Sequence, residues 1–146
     1  MHPNPAFRST DTITALSFAS SLGFGTLAVN GDDGPLLSHI PFVIDGNSAN
    51  LHLVRSNPIA RLVKKPTKAK IAVTGPHSYV SPDWYGIEDQ VPTWNYVSVH
   101  LIGSLIPLPG EQLGEILDEL SDEFETRLFP SQCGDLTKWI HRPCRK

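Results

Sequence analysis

The chain has 146 residues, 40% of them hydrophobic and 18% charged, and a formal net charge of −3. That length holds one compact domain rather than two, and the mild negative charge supplies no global field to draw the protein onto nucleic acid or an anionic membrane. No apolar run approaches the roughly 20 residues of a membrane span, and the opening MHPNPAFRSTD has neither the basic nor the apolar region of a secretory signal, so a cytoplasmic location is expected.

The first predicted element is a short helix. Ser9, Thr10 and Asp11 offer caps, Ile13, Leu16, Ala19 and Leu22 follow at near-helical spacing, and Gly23 ends the pattern. The stretch GTLAVNGDDGPLLSHIPFVIDGNSANLHLVRS then gives three apolar runs separated by NGDDG and DGNSAN. Asn, Asp and Gly tolerate positive φ, so consecutive antiparallel strands are expected.

Asn57 and Pro58 read as the cap and first residue of a helix over NPIARLVKK. KIAVTG and HSYVS are expected as two further strands and NYVSVHLIGSLIPL as a long one. In EQLGEILDELSDEFETRLF, the residues Leu113, Ile116, Leu117, Leu120, Phe124 and Leu128 share one face, with acids opposite, before Pro130. Many short antiparallel strands with inserted helices point to a mainly β protein, a closed or partly closed β-barrel rather than a parallel α/β sheet.

Polar residues fall where a predicted strand meets a predicted helix and within a predicted strand. In HLVRSNPIARL, Arg55, Ser56 and Asn57 lie just before a helical first turn, where a forked guanidinium and free N–H groups together suit a phosphate monoester. The plainer reading is that Ser56 and Asn57 only cap the helix and Arg55 is a solvated charge. In LLSHIPFVI, Ser38 and His39 interrupt an apolar strand, so one of them is expected to face inward unless the pair marks an edge that a ligand covers.

Lys64, Lys65, Lys68 and Lys70 in KKPTKAK can steer an anion or touch DNA phosphates, although such a run is more often a solvated loop. Cys133, His141 and Cys144 match none of the familiar zinc spacings, so no metal is expected. His52, His77 and His100 are weaker candidates, expected outward or at strand ends. No Ser-His-Asp order or paired-carboxylate spacing suggests a hydrolase.

Two of the three tryptophans and all three tyrosines fall within HSYVSPDWYGIEDQVPTWNYVSVH. Taken with MHPNPAFR, SHIPFVI and HLVRSNP, its words GPHSYVSPDWY and VPTWNYVSVH, in this order and at these separations, resemble the PaiB family of flavin-binding proteins, known as FMN-binding negative transcriptional regulators. The resemblance covers about residues 1–130, which are therefore expected to form the FMN-binding domain. It does not extend to the tail SQCGDLTKWIHRPCRK, residues 131–146, which reads as atypical and shortened.

The resemblance implies an antiparallel split β-barrel that forms a homodimer, with FMN at the subunit interface held by residues of both chains. It assigns Arg55, Ser56 and Asn57 to the FMN phosphate, and Ser38 and His39 to the flavin site. Trp94 and Tyr96 fall to the isoalloxazine, Thr93 and Asn95 to its polar edge, and Trp84 and Tyr85 to sealing the dimer. The function implied is regulatory. The alternatives are an FMN-dependent oxidoreductase acting on a small molecule, or a short form that keeps the dimer and has lost the flavin. Direct DNA binding rests on the resemblance alone, because the sequence shows no helix-turn-helix, basic recognition helix or zinc finger.

Overall fold

The structure, a computed structural model, describes residues 4–8 and 10–128. Helix α1 (Thr12–Leu22) forms between the expected caps. The Asp11 carboxylate accepts from the Thr14 backbone N–H at 2.9 Å and from the Thr14 hydroxyl at 2.7 Å, and Gly23 closes the helix at φ 58°.

Strands β1 (Phe24–Gly31) and β2 (Gly34–Pro41) form an antiparallel hairpin about Asp32 and Asp33, where the sequence placed a reversal. Pro41 has no N–H to continue a ladder, and the next residue leaves the sheet: Phe42 donates its N–H to the Gly23 carbonyl at 2.8 Å and is wholly buried. The chain enters a separate two-stranded sheet of β3 (Val43–Asp45) and β4 (Ser48–Asn50). Strand β4 falls within DGNSAN, where the sequence predicts a reversal, and the strand expected over LHLVRS does not form. Leu51 and Leu53 still alternate onto the core, so the apolar pattern persists without a ladder.

Helix α2 (Pro58–Leu62) leads to β5 (Thr67–Val80). This strand merges the two expected over KIAVTG and HSYVS, with one irregularity between Thr74 and His77. β6 (Thr93–Leu105) and the long α3 (Leu113–Leu128) follow. The four long strands are ordered β2-β1-β5-β6, all antiparallel, so the described residues are mainly β with three α-helices, and β2 and β6 form the two edges of the sheet.

One face of that sheet carries the core. Leu27, Val29, Ile40, Ile71 and Val73 point to it, and Ala19 of α1, with Ile59 and Val63 at α2, close over it. Each of the Leu, Ile and Val side chains among them contributes about 1.5–3 kcal/mol by leaving water. On α3 only Leu120 is fully buried, while Leu113, Leu117 and Leu128 of the predicted stripe stay exposed. The helix is tied down by polar contacts instead. Asn50 Nδ2 donates to Glu119 Oε2 at 2.8 Å, and the Arg127 guanidinium donates to the carbonyls of Ser20 and Ser21 at the end of α1 at 2.7 and 2.9 Å.

Among the described residues no helix is long and apolar enough to cross a membrane. Pro130, Cys133, His141 and Cys144 lie outside the described residues.

Candidate functional site

The candidate residues fall into two groups. The first surrounds the start of α2. Asn57 spends its side chain on structure: Oδ1 accepts from the Ile59 N–H at 2.9 Å, capping the helix, while Nδ2 donates to Ser38 Oγ on β2 at 2.9 Å. Having accepted this bond, the Ser38 hydroxyl keeps its own proton to donate.

Ser38 stands opposite Leu27, a core residue, so it is the member of the Ser38–His39 pair that faces inward. His39 points to the other side of the sheet, opposite Thr26, whose hydroxyl lies 3.0 Å from His39 Nδ1. That contact occupies Nδ1 and leaves Nε2 open. The sequence alone does not mark Thr26, because the pairing that brings it to His39 is set by the hairpin register.

Arg55 and Ser56 are exposed, and their side chains have no hydrogen-bond partner among the described residues. A guanidinium with all five donors uncommitted suits a phosphate. Asn57 holds the backbone next to it in place.

The second group opens β6. Thr93, Trp94, Asn95 and Tyr96 pair in register with Val80, Tyr79, Ser78 and His77 of β5. The Trp94 ring stacks on His77 with centroids 5.7 Å apart and 27° between planes, and tilts against Tyr79 at 6.2 Å. Trp94 and Tyr96 nonetheless remain 55% and 53% exposed, so their aromatic surface is available to a planar ligand. His77, a weak candidate from the sequence, therefore belongs with this group. His52 departs from the outward position expected of it: its Nδ1 is buried and has no hydrogen-bond partner among the described residues.

The chain does not bring its two groups together by pairing. Ser38 and His39 lie on the β2 edge of the sheet, and Thr93 to Tyr96 on the β6 edge, with β1 and β5 between them.

Comparison with known proteins gives this arrangement its context. The model of the family described as "Putative FMN-binding domain" matches residues 1–140. The chain belongs to this FMN-binding family. Among curated relatives, it is 28% identical over 123 residues to "Protease synthase and sporulation protein PAI 2" of Bacillus subtilis, covering 82% of this chain and 59% of that protein. It is 31% identical over 107 residues to the Saccharomyces cerevisiae protein YKL070W, covering 66% of this chain and 63% of that one. The matched region thus spans about three fifths of the length of either relative.

FMN is the cofactor of this family, and the residues present fit it. The fit lies in the uncommitted Arg55 guanidinium for a phosphate, the exposed faces of Trp94 and Tyr96 for a tricyclic ring, and the side chains of Thr93 and Asn95, which have no hydrogen-bond partners among the described residues, for its polar edge.

Proposed function

We propose that this protein is a cytoplasmic FMN-binding homodimer of the PaiB-like regulatory class, with two flavin sites, each shared between two copies in a split-barrel arrangement. The observation that carries this reading is the separation of the candidate groups. The phosphate-binding chemistry lies by β2 and α2, the ring-binding chemistry lies on the opposite edge at β6, and a two-fold axis juxtaposes one edge with the other edge of a second copy.

In this reading Arg55 and Ser56 hold the FMN phosphate, and Asn57 and Ser38 fix the loop that presents them. Trp94, backed by His77 and Tyr79, forms a wall for the isoalloxazine, with Tyr96 beside it, while Thr93 and Asn95 orient its polar edge. His39 offers Nε2 from the outer face of β2. When bound, FMN supplies redox chemistry, and the protein supplies orientation and the exclusion of water. The regulatory part of the reading comes from the likeness to PAI 2, whose name links it to sporulation.

The experiment is a fluorescence titration with FMN and with riboflavin, on the wild-type chain and on Arg55→Ala. FMN is expected to bind at least about tenfold more tightly than riboflavin, a preference of about 1.4 kcal/mol that Arg55→Ala removes. Equal affinities for the two flavins in the wild type would overturn the phosphate assignment.

A further inference from the structure

The lysine run KKPTKAK is only partly a loop. Lys68 and Lys70 lie within β5, on the same face as Ala72, which pairs with Thr26 and through it with His39. This is the face turned away from the core. Lys70 pairs with Ile102 and Ala72 with His100, so the face continues across β6. Phe24, Leu37 and Ile102 on it are 55%, 63% and 64% exposed, which marks an uncovered apolar surface. The chain has 15 acidic residues, yet none occupies a strand position on this face, and neither lysine has an ion-pair or hydrogen-bond partner among the described residues.

The opposite properties meet at the far end of the sheet. Beyond the irregularity at Thr74 to His77, β5 and β6 continue as a two-stranded ribbon whose residues from His77 to Tyr79 and from Thr93 to Ser98 are all exposed. A two-stranded ribbon uncovered on both faces is marginal in water and calls for something to pack against. Its tip, residues 81–92, carries Asp83, Glu88 and Asp89 and no Lys or Arg. The same tip exposes Trp84, Tyr85, Ile87 and Val91, and Ile87 lines an open hollow of about 470 Å³ together with the acidic Asp83, Glu88 and Asp89.

We propose that the acidic, aromatic tip of one copy lies on the lysine-bearing sheet face of a second copy, and that the reciprocal contact completes a two-fold dimer. The proposal rests on the homodimer reading above and specifies which surfaces meet. Apolar area on both patches supplies the attraction, while the unpaired lysines and the base-free tip fix the orientation, since like charges brought together oppose binding. One chain carries both halves of the contact at separate places, so a single two-fold operation satisfies both at once.

Charge reversal tests it on the full chain. Sedimentation equilibrium is measured for the wild type, for Lys68→Glu/Lys70→Glu, and for Asp83→Lys/Glu88→Lys/Asp89→Lys, with circular dichroism to establish that each is folded. Each variant alone opposes like charges in both contacts, so its dimer dissociation constant is expected to rise at least about tenfold. An equimolar mixture of the two variants restores opposite charges at both contacts and is expected to form heterodimers of near wild-type affinity. A dimeric wild type whose variants dimerise unchanged, or folded variants that fail to pair when mixed, would overturn this contact alone. A wild type that stays monomeric would overturn the homodimer reading and this contact with it.

Discussion

Asn57 Nδ2 donates to Ser38 Oγ at 2.9 Å while Asn57 Oδ1 caps α2 through the Ile59 N–H, so one amide joins the helix start to the sheet edge. Asn57→Ala loses both bonds and is expected to cost about 1–2 kcal/mol of stability. Asn57→Asp keeps a cap and accepts from the Ser38 hydroxyl, so its melting temperature should stay near wild type. It also sets a negative charge beside Arg55, so FMN affinity should fall sharply while riboflavin affinity changes little. Thermal denaturation and flavin titration on the same samples separate the two effects.

Much of this local chemistry is legible in the sequence. Asp11 and Gly23 bound α1, Asn57 and Pro58 open α2, and NGDDG turns β1 into β2, because each depends on near neighbours in the chain. The Ser38–His39 pair shows where that legibility stops. Alternation requires the two to face opposite ways, but only the register placing Ser38 against Leu27 decides which faces in. The role of Thr26, the merging of two expected strands into β5 and the placement of β2 and β6 at opposite edges are likewise non-local. The strand expected over LHLVRS fails for a related reason. Burial of Leu51 and Leu53 produces strand-like alternation whether or not a neighbouring strand is present to pair.

Gly75 sits in the irregular part of β5, where the ribbon leaves the body of the sheet. A Cβ at this position would collide with the Phe18 ring of α1. Gly75→Ala is expected to destabilise by about 1–3 kcal/mol through overpacking, read by chemical denaturation. Combining it with Phe18→Leu, which trims the obstructing ring, should cost less than the sum of the two single changes. Strict additivity would show that the ring does not set the requirement for glycine.

The Asp11 carboxyl is held below the ordinary aspartate range, chiefly by the hydrogen bond from the Thr14 N–H and next by that from the Thr14 hydroxyl. A carboxyl whose folded pKa is depressed stabilises the fold above its unfolded value and loses that contribution as pH falls through the folded one. The stability attributable to this cap should therefore be constant at neutral pH and decline below about pH 4. Asp11→Asn keeps an acceptor without the titration, so it should remove this part of the acid dependence while leaving α1 formed. Helix signal followed against pH in both proteins checks the difference.

In the proposed dimer each FMN site draws Arg55 from one copy and Trp94 from the other, and subunit complementation distinguishes this from a site within one chain. Arg55→Ala and Trp94→Ala chains are prepared separately, each expected to bind FMN weakly, then mixed in equal amounts under conditions that allow subunits to exchange. Half the dimers become mixed, and each mixed dimer contains one site with both residues intact, so about a quarter of all sites should regain wild-type FMN affinity. A mixture that binds FMN no better than its two components would show that both residues serve a site within one chain, and would contradict the shared site.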